Sequence, residues 1–241
     1  MDAFQLHSGI PSLSPINSED VFVFFSVMGE SLQRYNAQQV LGRSELDRLT
    51  LYRTLGKRNE FLFGRLFMRK ILGKMINKSP REVSILINEN KRPYLQEENL
   101  QFNLSHSFGG FALIVSPDYA VGVDIEYRKR KISLEDGSHV FMPEEKASMK
   151  AKDATAAKEE FLLRWTLKEA IYKAANVGTQ LLFNEFELGF DPPKVYSHSD
   201  HLDDYGWELG HAFPHSDYIL AFAVKNSGSP PLRFHFHQII L

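Results

Sequence analysis

The sequence predicts an α+β fold of two similar halves related by a pseudo-two-fold axis, each a long helix packed on a small antiparallel sheet. Three observations carry this. Two strong helical patterns, opening on Phe61-Leu62-Phe63 and Phe161-Leu162-Leu163, lie about a hundred residues apart. Each is followed, about fifty residues on, by a related segment: S-H-S-F-G-G-F-A-L-I-V at 105–115 and P-H-S-D-Y-I-L-A-F-A-V at 214–224. A chain of 241 residues, 43% hydrophobic and 24% charged, has enough apolar side chains to fill a core in each half. The expected organisation is an irregular leader at 1–20, an N-terminal half at 21–118 and a C-terminal half at 119–241. A ligand cleft is expected between the halves. The second copy lacks the serine before its histidine, so one active site is expected rather than two.

In order along the chain, Pro11 and Pro15 among serines mark the leader. V-F-V-F-F-S-V at 21–27 is a strand without clean alternation, hence covered on both faces. Residues 38–55 have a helical apolar set, Val40, Leu41, Leu46, Leu49 and Tyr52, with Arg43, Arg48 and Arg53 along them. Residues 60–76 form the first long helix, in which Arg65 and Arg69 read as structural. A short strand at 83–87 leads to Lys91-Arg92-Pro93-Tyr94, where proline fixes the chain direction and presents Arg92. Residues 103–107 read as a polar corner. Gly109-Gly110 permits a turn. The runs 111–115 and 120–125, joined by Ser116-Pro117-Asp118-Tyr119, read as a hairpin. Met142-Pro143-Glu144-Glu145 opens a helix, with both glutamates capping it. The second long helix covers 161–175. Strands follow at 184–190, 205–212 and 218–224. His235 and His237 share a strand face, and as a metal pair they lack a third ligand.

Composition narrows the function. There are no cysteines, which excludes disulfides, zinc–thiolate sites and thiol nucleophiles. The formal net charge of −2 gives nucleic acid no electrostatic purchase. No apolar run approaches the roughly 20 residues of a membrane span, and no signal peptide is visible. The expectation is a cytoplasmic protein and a monomer.

The chemistry-bearing residues begin at the end of the 120–125 run. Asp124 and Glu126 are two apart on a strand and so share a face. Two carboxylates there point to a hard divalent cation, or else to a solvated strand end. Trp165, Glu169 and Lys173, spaced i, i+4, i+8, share one face of the second helix. Glu169 and Lys173 form either an intrahelical ion pair or, facing the strand, a third carboxylate and a phosphate-holding cation.

V-G-V-D-I-E, followed about forty residues later by W-T-L-K-E-A-I-Y-K, resembles the signature pair of the 4′-phosphopantetheinyl transferases. The upstream F-N-L-S-H-S narrows the resemblance to the long, surfactin-synthetase (Sfp) type. The similarity runs from about Glu45 to Lys173. It implies transfer of the 4′-phosphopantetheine arm of coenzyme A to a serine of an apo acyl- or peptidyl-carrier protein, with release of adenosine 3′,5′-bisphosphate. By the same resemblance Mg²⁺, or Mn²⁺, is held by Asp124, Glu126 and Glu169. Lys173 holds the diphosphate. Glu169 or a water on the cation is the general base. Arg48, Arg92, Ser105 and His106 bind coenzyme A, the last two at its 3′-phosphate. Arg92 stands where the family has the lysine of a G-K-P turn, and Lys91 stands in the glycine place. Residues 128–142, basic from Arg128 to Lys131 and apolar at Ile132, Leu134, Val140, Phe141 and Met142, correspond to the carrier-docking surface. The carrier would serve fatty acid, polyketide or nonribosomal peptide synthesis. Two other classes fit the residues: a coenzyme A or nucleotide-binding module without transfer, and another Mg²⁺-dependent enzyme that cleaves pyrophosphate.

Overall fold

The computed structural model describes residues 4–13, 15–29, 35–96, 98–133, 139–190, 193–204, 206–226 and 230–241. Leu134 of the expected docking surface lies outside them. The elements are β1 (Gln5–Ser8), β2 (Asp20–Val27), α1 (Ala37–Val40), α2 (Arg43–Leu51), α3 (Leu55–Met75), β3 (Ile85–Ile87), β4 (Pro93–Leu95), β5 (Gln101–Ser107), β6 (Gly110–Ser116) and β7 (Ala120–Tyr127). Then come α4 (Pro143–Lys150), α5 (Ala154–Ala175), β8 (Phe186–Gly189), β9 (Lys194–Ser197), β10 (Trp207–His215), β11 (Tyr218–Lys225) and β12 (Arg233–Ile240).

One motif is repeated along the chain. Strand, long helix and hairpin occur twice, as β2, α3, β5–β6 and as β7, α5, β10–β11. The first sheet has the order β1-β12-β2-β6-β5 and the second β10-β11-β7. They stack into four layers, α3, first sheet, second sheet, α5. Strand β2 explains why its sequence does not alternate. Phe22 and Phe24 face the α3 core with Phe63, Leu66 and Phe67. Val21, Val23 and Phe25 face the second sheet with Val121, Val123 and Ile125. Both faces are dry, and each fully buried Phe there contributes about 1.5–3 kcal/mol.

Five expectations need correction. The runs 111–115 and 120–125 are not a hairpin. Strand β6 pairs with β5 and β2, β7 pairs with β11, and the turn at 117–119 carries the chain from one sheet to the other. The polar corner at 103–107 is strand β5. It pairs with β6 through a tight turn whose residues Phe108 and Gly109 both have positive φ, 47° and 83°. The leader is not wholly irregular, because β1 pairs in parallel with β12. Strand β12 itself pairs with β2, so the C-terminal half expected at 119–241 gives its last strand to the other sheet. The helix expected over 38–55 is broken at Leu41-Gly42, and the segment ends before Thr54, which caps α3 by accepting from Lys57 N.

Side chains hold β12 in place. Ser26 Oγ donates to Ile239 O at 2.7 Å. His237 stacks on Phe24 and lies 3.1 Å, nitrogen to nitrogen, from His7 of β1. His235 Nε2 sits 3.0 Å from Asp20 Oδ1. The two histidines thus act as packing and strand-joining groups. Burial, with His7 and His235 adding repulsion, pushes His237 down to about 4. A depressed base stabilises the fold above its unfolded pKa of about 6.5 and loses that contribution as pH falls toward about 4. We expect the melting temperature of the wild type to drop between pH 6.5 and pH 4.5 by several degrees more than that of His237→Phe, read by circular dichroism. Equal slopes would remove His237 from the acid response.

Candidate active site

The site forms where β5, β7 and α5 meet. Alternation along V-G-V-D-I-E sends Val121, Val123 and Ile125 into the core between the sheets. It sends Gly122, Asp124 and Glu126 toward α5. Gly122 is required there: a Cβ would lie 2.0 Å from Ala170 O and 2.6 Å from Ala174 N. That close approach sets Glu169 and Lys173, in the last turns of α5, beside Asp124.

Strand β5 alternates in the same way. Phe102 and Leu104 belong to the α3 core, while Asn103, Ser105 and Ser107 face β7. Their side chains substitute for a backbone ladder between the sheets. Asn103 Oδ1 accepts from Val123 N at 3.0 Å, Ser105 Oγ donates to Asp124 Oδ1 at 2.7 Å, and Ser107 Oγ donates to Glu126 Oε2 at 3.0 Å. Lys173 Nζ donates to Asp124 Oδ1 at 2.6 Å and to Ser105 Oγ at 3.2 Å, and lies 3.8 Å from Glu169 Oε2. Arg130 Nη1 donates to Glu126 Oε1 at 2.6 Å.

The electrostatics show what the cluster lacks. Burial first, then the Asp124 charge, pushes the Glu126 carboxyl up. Burial also pushes Glu169 up, with Lys173 opposing and Asp124 and Glu126 adding to the rise. Asp124 Oδ2 is buried with no hydrogen-bond partner. Among the described residues, no three carboxylate or histidine side chains converge at metal-binding distance as they stand. The donor set nevertheless fits a hard cation: all oxygen, short of positive charge, with one lone pair already orphaned.

Of the expected coenzyme residues, Arg48 and His106 line one cavity and Arg92 and Lys173 another. The first, of about 340 Å³, is also lined by Lys57, Arg65, Tyr52 and Phe61. His106 stacks on Phe111 at 5.3 Å, and burial lowers its pKa. Ser105 is next in sequence but points to the opposite face, toward Lys173, so the two do not share one wall. Arg65, read as structural, is both structural and exposed to this cavity: it lies 3.4 Å from Glu45 and stacks over Phe61 with Arg48. Arg92 borders a second cavity of about 270 Å³ with Lys91, Asn103, Tyr172 and Lys173. It is not simply presented in a turn. Its guanidinium donates to Lys173 O at 2.6 Å, Val121 O at 3.0 Å and Phe102 O at 3.3 Å, bracing the end of α5 against β5 and β7.

Other residues were missed in the sequence. Ser107 and Asn103 were legible in hindsight from the i, i+2 spacing with Ser105. Arg130 carried no distinguishing signal within a basic run. Lys168, inside W-T-L-K-E, is fully buried and bound to Glu145 at 2.8 Å and to the carbonyls of Phe183 and Phe186. Glu145 caps α4 as expected, accepting from Met142 N, but also closes this ionic core with Arg164. Trp165, one turn before Glu169 on the same helix, stacks with Phe161 and Phe183.

Two family models match the chain: "4′-phosphopantetheinyl transferase, N-terminal" over residues 26–118 and "4′-phosphopantetheinyl transferase superfamily" over 120–223. The chain is 28% identical over 204 residues to 4′-phosphopantetheinyl transferase HetI of Nostoc sp., covering 81% of this chain and 83% of that one. It is 29% identical to a phosphopantetheinyl transferase of Thraustochytrium sp., covering 57% of this chain and 53% of that one. A holo-(acyl-carrier-protein) synthase from Bacillus anthracis, solved with coenzyme A (3′,5′-ADP), overlaps 46% of this chain and 98% of its own, with 21% identity and a TM-score of 0.39. No helix among the described residues is long and apolar enough to cross a membrane. The two family models abut at residue 119, on the crossover between the sheets, and together take in most of the chain, which belongs to the 4′-phosphopantetheinyl transferase superfamily.

Proposed function

We propose that this site moves the 4′-phosphopantetheine arm of coenzyme A onto a serine of an apo carrier protein and releases adenosine 3′,5′-bisphosphate. The observation that carries the reading is Lys173, whose ammonium sits among Asp124, Ser105 and Glu169 where β5, β7 and α5 meet. The length of the chain and its two-half build support the long, surfactin-synthetase type.

In the reaction the carrier serine oxygen attacks the β-phosphorus of the coenzyme A diphosphate, and the bond from that phosphorus to the bridging oxygen breaks. The serine proton goes to a base, and charge collects on the departing phosphate. Glu169, whose carboxyl burial makes a stronger base than an exposed glutamate, suits the base role. Lys173 neutralises the diphosphate or the leaving group from one turn away. Asp124, Glu126 and Glu169 would hold Mg²⁺, or Mn²⁺ in its stead, which would screen the non-bridging phosphate oxygens. Arg48, Lys57, Arg65 and His106 supply cations and a donor for the 3′-phosphate. Arg92 and Ser105 border the diphosphate. The carrier would dock over residues 128–142, with Phe141 as a buried part of its apolar floor.

Mass spectrometry of an apo carrier incubated with the protein, coenzyme A and Mg²⁺ tests this. A gain of one phosphopantetheine is expected. Cleavage of coenzyme A without carrier modification would mean a hydrolase, and binding without either would mean a sensor. The 3′-phosphate has its own test. His106→Ala is expected to weaken coenzyme A by roughly 10-fold and 3′-dephospho-coenzyme A much less, since one charge-assisted hydrogen bond contributes about 1.5 kcal/mol or more. Equal losses would place His106 elsewhere on the ligand.

A further inference from the structure

The basic run after β7 is not uniform. Arg128 is held by Ser216 O and Glu159, each at 2.9 Å, and lies over the Phe213 ring. Lys129 is held by Asp217 at 2.7 Å. Both contacts tie the run to the body of the C-terminal half. Arg130 alone turns into the carboxylate cluster. It meets Glu126 Oε1 at 2.6 Å while Ser107 takes Glu126 Oε2, so both oxygens of this carboxylate are engaged. The partners differ in position: the Glu126 side chain is 10% exposed, whereas that of Arg130 is 26% exposed and stands at the rim. Asp124 is unlike Glu126, since its Oδ2 is unengaged.

From this contrast we infer that Arg130 is the resident counter-ion of Glu126, that it leaves when a divalent cation binds, and that it then serves at the rim as a recognition cation for an acidic group on the carrier. The inference rests on the proposed transferase reading. A buried carboxylate beside Asp124 needs a positive partner at all times, because an unpaired buried charge costs several kcal/mol. Arg130 meets that need before the cation arrives and competes with it for Glu126. Once displaced, the guanidinium at the rim beside the docking surface would be free to meet an acidic group on the carrier, whereas Arg128 and Lys129 stay held by Glu159 and Asp217. Cation and carrier then favour each other's binding by the same factor, as linkage requires.

The test needs no turnover. Titration calorimetry of Mg²⁺ into the intact protein is expected to give affinity about 5- to 10-fold higher for Arg130→Gln than for the wild type. Arg130→Lys should lie between them. Arg128→Gln removes the same charge close by, breaking a contact with Glu159 but none with Asp124, Glu126 or Glu169, and should match the wild type. Fluorescence anisotropy of an apo carrier is then expected to show that Mg²⁺ tightens binding severalfold to the wild type and not to Arg130→Gln. Equal Mg²⁺ affinity in wild type and Arg130→Gln, an equal gain in Arg128→Gln, or carrier affinity indifferent to Mg²⁺ would each overturn the inference. Failure of the transferase reading is separate: it would appear as a wild-type protein that leaves the carrier mass unchanged.

Discussion

Asp124→Ala is expected to lower transfer to the carrier by about 10³-fold or more while the protein stays folded, as measured by the rate of carrier mass gain and by circular dichroism. The residue sits at the crossing of the site: it binds Lys173 and Ser105 through Oδ1, and its buried Oδ2 has no hydrogen-bond partner. Its loss removes the anchor that aims Lys173, and losses of a single preorganised electrostatic group run at 10²–10³ in rate. Stability should change little, because two effects oppose. Lys173 gives up its contact with Asp124 but is partly exposed and keeps Glu169 3.8 Å away, so it is not left as an isolated buried charge. Glu126 and Glu169 are relieved of a neighbouring negative charge that helps raise both. The pH response separates these effects. A raised carboxyl destabilises the fold progressively as pH climbs through its folded pKa, so the metal-free wild type gains from mild acid at these two groups. Asp124→Ala should gain less, and Mg²⁺ should raise the melting temperature of the wild type only. Wild-type turnover in Asp124→Ala would remove this carboxylate from the mechanism.

The second large effect is expected at Gly122. Alanine there would place a methyl group against the Ala170 carbonyl and the Ala174 amide, both helix backbone that cannot rotate away. Either α5 lifts from β7 or the strand bends. Overpacking of this kind costs about 3 kcal/mol. A chain of this size then loses roughly 6–12 °C of melting temperature. The folded fraction should also transfer slowly, because Glu169 and Lys173 would be pushed off Asp124. Gly122→Ala that melts within about 2 °C of wild type would show that the helix yields more easily than its contacts indicate.

Much of this was legible in the sequence, and the limits were physical. The i, i+2 carboxylates and the i+4 spacing of Glu169 and Lys173 are local geometry, and the fold keeps both. The duplicated strand, helix and hairpin were readable because apolar periodicity survives in each copy. Sheet partners were not readable. Ala120–Tyr127 pairs with β11 rather than with β6 because the two sheets compete for it, and nothing within the segment names the winner. Residues 103–107 read as a corner because their polar side chains lie on a strand face turned toward another sheet. The bracing contacts of Arg92 were not readable, since three carbonyl partners from three elements leave no trace beside Pro93.

The placement of β12 bears on how the chain acquires its structure. Ser26 and Ile239, joined by a hydrogen bond, are 213 residues apart. The Val21 edge of β2 therefore stays bare throughout synthesis of everything between them, a long interval for an unpaired apolar strand. Such non-local pairing slows folding and rewards whatever shields the edge meanwhile. A fragment ending near residue 118 would keep its own helix and hairpin and still expose that edge, so it should self-associate. Supplying a peptide of the 233–240 sequence should suppress that association, much as a missing strand donated in trans completes an open sheet.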